Sequence, residues 1–213
     1  MENIQWCKLT DAASQTRGRT QWGPGVEHTA PGSGELCTGG WIHVYRHPYL
    51  AVLLNPIHAA FQPARLWTVE VSGARKDDGE LKSGFSRVRT VEEIPLPEFS
   101  PVQLVTFGIL CAQKVTRNPA WLEWAAKWLS GTNRSYWTAV QVSQEMSNAV
   151  PKSCESDSAS WAASGATAAV VRMDAVARPV AIAAETALVA LTATVSASPI
   201  FILDCAFRAR EAQ

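Results

Sequence analysis

The pattern of apolar and polar positions divides the chain into two kinds of text. Up to about residue 148, short alternating or periodic stretches are broken by Pro and Gly. From "PKSCESDSASWAASGATAAVV" onward the chain turns to long alanine-rich runs with few charges. The change places a boundary at about 148–158, with a first domain over 1–148 and an alanine-rich helical appendage over 149–213.

Within the first part, period-two alternation marks strands, because successive strand side chains face opposite sides. "NIQWCKLT" reads as a strand with Ile4, Trp6 and Lys8 on one face. "WIHVY" reads as a short strand on which Trp41, His43 and Tyr45 share a face. It is entered through Gly39–Gly40, where glycine accepts a positive φ. "RLWTVEVSG" and "FSRVRTVEEIPL" are rich in β-branched and aromatic residues and flank the polar turn "ARKDDGELKSG". "DAASQTRGRTQWGPGVEHTAPGSGE" is dense in Gly, Pro, Ser and Thr, and is expected to be a long loop or an irregular hairpin.

Helix signals are equally local. Pro48 opens a helix over 49–60 that Pro56 is expected to end or kink. Ser100 and Pro101 open a second over 101–116. Asn118 and Pro119 open a third over 119–130, closed by Gly131. In the third, Trp121, Trp124 and Trp128 fall on one face. The tail reads as two helices broken at Pro179. The fold class is therefore α+β: a small twisted, mostly antiparallel sheet with packed helices, followed by an alanine-rich helical appendage. That appendage is expected to cover an apolar patch of its own chain or to form a homo-oligomer interface.

Composition narrows the function classes. Lys plus Arg equals Asp plus Glu, 19 each, so no cationic field marks a nucleic-acid binder. Nine tryptophans suit core packing or binding anchors. The five cysteines are scattered, odd in number and form no C-x-x-C, the pattern of reduced thiols. "MENIQWCKLTD" lacks a basic and an apolar leader region, so a cytoplasmic location is expected. "VAIAAETALVALTATVSASPIFIL" has the length of a membrane span, but Glu185 and its Thr and Ser residues favour a packed hairpin.

The densest chemistry lies in "GELCTGGWIHVYRHP". Cys37, His43, His47 and His58 supply zinc-ligand types, but their spacing matches no zinc signature, and neither a metal nor a cofactor is expected. Cys37 near His43 also suits an activated thiol, against the simpler reading of a small buried thiol at a strand start. No Walker A, G-x-G-x-x-G, H-E-x-x-H or G-x-S-x-G motif is present. Cys37, Trp41, His43, Tyr45, Trp67 and Glu70 form the candidate pocket. Trp121, Trp124 and Trp128 form the candidate interaction face.

At "GELCTGGWIHVY", "LAVLLNPIHAAF", "RLWTVEVSG" and "FGILCA" the chain resembles a family of uncharacterised bacteriophage and prophage proteins, over residues 3 to 135 or so. Members of that family carry an alanine- and tryptophan-rich helical tail, which residues 150–203 resemble. The resemblance implies a phage context and assigns no functional residues. The order of strands, polar loop and helix also resembles ADP-ribosyltransferase-like folds. That layout would bring Thr10 or Arg17, His43 or Tyr45, and one of Glu70, Glu92 and Glu93 to an NAD cleft. The expected function is a phage accessory protein that binds and inhibits a host protein, in a host-takeover or anti-defence role. The alternative is an ADP-ribosyltransferase-like enzyme that modifies a host macromolecule using NAD.

Overall fold

The computed structural model describes residues 5–79, 81–149, 158–171, 179–180, 182–184, 187 and 201–212. They form two compact units, Met1–Glu98 and Phe99–Gln213. The first holds the strands and one helix; the second is helical. The fold is α+β with an antiparallel sheet, as its sequence predicts.

The first unit is built on a long hairpin. Strand β6 (Ala64–Asp78) pairs with β7 (Lys82–Ile94). The polar "ARKDD" segment, expected as a turn, continues the ladder, and only residues 79–81 separate the strands. β1 (Cys7–Asp11) lies on the free edge of β6. β4 (Glu27–Thr29) and β5 (Ile42–Val44) share the other edge of β7. Two backbone hydrogen bonds of 2.8 Å, exchanged by Cys7 and Tyr45, then join β1 to the end of β5. The path β1–β6–β7–β5 thus returns to β1, and the sheet curls into a small ring.

Alternation sorts the side chains. One side gathers Trp22, Val44, Trp67, Val69, Phe85 and Val88, with Trp6, Ile42 and Val71 at its border. The other side of β1 and β6 carries Cys7, Leu9 and Leu66, all buried. Helix α1 (Pro48–His58) packs on β1 and buries Leu50, Ala51, Leu53 and Leu54. Each such leucine contributes roughly 1.5–3 kcal/mol by leaving water. Pro56 does not end this helix, which continues to His58. It sits in the last turn, so the missing amide forgoes the bond to the Val52 carbonyl and only two helical residues follow it.

The segment between β1 and β5 is more ordered than its composition suggests. β2 (Gln15–Thr16) and β3 (Thr20–Gln21) form a short hairpin around a 3₁₀ turn at Arg17–Arg19. β4 follows as a sheet strand with no apolar residue in it.

The second unit begins with α2 (Pro101–Gln113), whose Ser100 and Gln103 form a reciprocal capping box. α3 (Pro119–Leu129) is capped by the Asn118 side chain. α4 (Tyr136–Ala149), α5 (Ser158–Val171) and α6 (Phe201–Arg210) complete the named helices; residues 179–180, 182–184 and 187 are also helical. α5 packs on α2 and α4, and α6 on α2. The compositional change near residue 148 therefore lies inside this unit, while the division between units falls at Glu98–Phe99. Small side chains let the α5 backbone approach its neighbours: Ala162, Ala163, Ala166 and Ala169 are fully buried. No helix among the described residues is long and apolar enough to cross a membrane.

Candidate functional site

Most of the side chains singled out between Cys37 and Tyr45 meet on one side of the first unit. Two glycines make the approach possible. Gly39 and Gly40 form the expected turn, but without a positive φ; what requires glycine at 40 is space, since a Cβ there would stand 1.9 Å from the Ser33 carbonyl oxygen. Gly84 lies opposite His43 in the β5–β7 ladder, and a Cβ on it would come within 2.9 Å of both Leu36 and Trp41. Segment 32–41 folds back over β7 through this opening. The Gly32 amide donates to Gly40 at 2.9 Å, and the Trp41 indole donates to the Gly34 carbonyl at 3.1 Å.

The polar groups line up from there. The His43 Nε2–H donates to the Leu36 carbonyl, since a carbonyl oxygen only accepts. Lys82 Nζ donates to Cys37 Sγ at 3.3 Å and stands 3.9 Å from Asp78. The Tyr45 hydroxyl and His58 Nδ1 are 3.3 Å apart, with the two rings stacked at 5.9 Å. Burial pushes the Tyr45 phenol up, so it keeps its proton beside the His58 ring. Burial, then the cationic Lys82 and then His43, push His58 down to about 4. His43 is lowered too, by burial first, against the Leu36 hydrogen bond that favours its charge. Both imidazoles are therefore neutral near pH 7, beside a lysine ammonium and an exposed thiol. Neutral imidazole, amine and thiol are the groups used in proton transfer and thiol chemistry.

Lys8 is not among the candidates read from the sequence, yet it is a buried lysine on the inner face of the sheet. It is 6% exposed, donates to the His43 carbonyl at 3.1 Å and sits 4.5 Å from the Trp22 ring centroid. The carbonyl and the indole face favour an ammonium, but burial outweighs them and lowers its pKa to about 7. Its place in "WCKLT", at the same parity as Trp6, is the only sequence signal for this burial.

The remaining candidates lie elsewhere. Trp67 belongs to the interior of the ring, its indole donating to the buried Thr10 hydroxyl at 3.0 Å. Glu70 is exposed and pairs with Arg89 at 3.5 Å. Arg65 grips Glu93 and lowers its carboxyl below the usual range through that hydrogen bond. His47 caps α1, accepting from the Tyr49 amide at 3.1 Å. Among the described residues, no three His, Cys, Asp or Glu side chains stand together as metal ligands.

In the second unit, Trp121, Trp124 and Trp128 are at most 3% exposed, and Trp121 donates to the Ala163 carbonyl of α5 at 3.1 Å. They are core residues of the helical unit and present no free face. The exposed aromatics are their neighbours in sequence. Trp137 is 76% exposed and Tyr136 47%, in edge-to-face contact at 5.1 Å. The helix period explains this. Ala139, Val142 and Met146 form the buried stripe of α4, and Trp137 stands two residues before it, on the opposite side. A scan against family models, a search of curated proteins and a search of solved structures found no match to this chain.

Proposed function

We propose that this chain is a phage-encoded accessory protein that binds a host protein and blocks it, with Tyr136 and Trp137 as its anchor. One observation carries the reading. Trp137 and Tyr136 stand in water, whereas the other seven tryptophans with described side chains are buried or half-buried. Aromatic side chains held on a helix and exposed in the free protein are the type that dominates interface energies. The core uses of Trp121, Trp124 and Trp128 move the anchor from α3 to the first residues of α4 without changing its chemistry.

The alternative, an NAD-using ADP-ribosyltransferase-like enzyme, needs a carboxylate free to face the ribose. Of its three candidate carboxylates, Glu70 and Glu93 are engaged by Arg89 and Arg65 on the strand surface, and the exposed Glu92 is the one left to that reading. The test is affinity capture from bacterial lysate with the wild-type chain and with Trp137→Ala. The binding reading expects a stoichiometric, salt-resistant host protein on the wild type and its loss from the variant. Equal recovery on both would remove these residues as the anchor.

A further inference from the structure

We propose that Cys37 and Lys82 form an oxidative modification site, at which peroxide joins the two side chains by a sulfur–nitrogen bond and locks segment 32–41 onto β7. Lys82 Nζ donates to the Cys37 sulfur at 3.3 Å, between residues 45 positions apart in the chain. Both partners are held in place. Lys82 is the first residue of β7 and lies opposite Asp78 in the ladder. Its side chain is only 12% exposed, with Nζ 3.9 Å from the Asp78 carboxylate. Cys37 is fixed through its neighbours. The Leu36 carbonyl accepts from His43, and the Leu36 side chain is buried in the space that Gly84 leaves open. Thr38 donates to the Glu35 carbonyl through its hydroxyl at 2.7 Å and its amide at 3.2 Å. Lys76 ties the Gly34 carbonyl and the Glu35 carboxylate to the hairpin, each at 3.1 Å. The Cys37 thiol itself is exposed, so a small oxidant reaches it. An open sulfur and an amine already in contact need no rearrangement to react.

The chemistry balances with hydrogen peroxide as oxidant. The Cys37 sulfur attacks one peroxide oxygen. The S–O bond forms, the O–O bond breaks, and the second oxygen leaves as water with the thiol proton, which gives a sulfenic acid. The Lys82 amine, after losing its extra proton to solvent, attacks the sulfenic sulfur. The S–N bond forms, the S–O bond breaks, and the hydroxyl leaves as a second water with a proton from the nitrogen. The product is a sulfenamide, and peroxide has taken up the two electrons lost by the sulfur. A second peroxide competes by carrying the sulfenic acid on to sulfinic acid, and the amine wins by proximity. Two molecules of a small thiol reverse the bond, regenerating Cys37 and Lys82 and leaving as their own disulfide.

The test uses the full chain, dilute and folded, with a small excess of hydrogen peroxide at mildly alkaline pH, where lysine amines lose their extra proton. The chain is then unfolded, alkylated without reductant, digested with trypsin and weighed. The expected result is a linked peptide pair joining Cys37 to Lys82, about 2 Da lighter than the sum of its parts, uncut after Lys82 and separated by a thiol reductant. Lys82→Arg keeps the positive charge without a nucleophilic amine. In that variant the link is absent and dimedone captures Cys37 as its sulfenic acid. Cys37 recovered alkylated or as sulfinic acid from the wild-type chain, with trypsin cutting after Lys82, overturns the proposal. So does a link from Cys37 to Lys76 or to a second chain, or a linked pair heavier by one retained oxygen. The wild-type peptide map decides the matter even if Lys82→Arg folds poorly.

Discussion

His58 and Lys8 make the first unit's stability depend on pH, each in its own window. His58 is held near 4 in the folded chain against an ordinary 6.5. Between those values the unfolded chain binds a proton that the folded chain refuses. Stability is therefore fully present above about 6.5 and falls until about 4, by up to about 3 kcal/mol. Asn at this position offers the Tyr45 hydroxyl both a donor and an acceptor and does not titrate. Urea melts of wild type and His58→Asn should diverge as pH falls through this window; parallel curves would show that His58 is not held neutral. Lys8 is lowered from 10.5 to about 7, so it contributes the same sign in a higher window. Wild type should gain stability from about pH 7 to 10.5, and Lys8→Met should lose that dependence. A dependence that survives the substitution would place the titrating group elsewhere. Neither effect was legible in the sequence. Alternation puts Lys8 on the face of Trp6, but nothing in the sequence shows that Trp22 reaches across a loop to cover that face and bury the amine.

At the scale of elements, ring closure rests on the exchange between Cys7 and Tyr45, residues brought together only by the curl of the hairpin. Their amides should exchange with solvent as slowly as those in the middle of β6, measured by hydrogen exchange. Fast exchange at both would mean an open sheet. Gly84→Ala tests the same architecture, because its Cβ meets Leu36 and Trp41. The expected cost is about 1–3 kcal/mol. The strands β1, β5, β6 and β7 and the helices α1, α2 and α3 were readable from alternation, proline and capping residues such as Ser100 and Asn118. β4 was not, because "EHT" has no apolar position and owes its conformation to pairing with β7. α4 was missed because its buried stripe is only Ala139, Val142 and Met146, a weak signal next to the tryptophans. The far half of the hairpin reads as a turn in the sequence because both faces of "ARKDD" are polar. The ladder itself holds it.

At the scale of the whole chain, composition and packing divide it at different places. Alanine content changes near residue 148, but α2 and α3 belong with the alanine-rich helices, since their buried faces are completed by α4, α5 and α6. Removing residues 149–213 should therefore cost the second unit its cooperative helical melt in circular dichroism. A chain ending at residue 148 that keeps that melt would contradict this packing. The tryptophans divide in the same way. Trp121→Ala should destabilise the helical unit by about 3–5 kcal/mol, as a fully buried indole does. Trp137→Ala should leave stability within about 0.5 kcal/mol, as an exposed substitution does.

The most direct test of the binding account is a calorimetric titration of the captured host protein, purified, against the wild-type chain and Trp137→Ala. The account predicts at least about tenfold weaker binding by the variant with an unchanged melting temperature. Equal affinity for the two chains would contradict it.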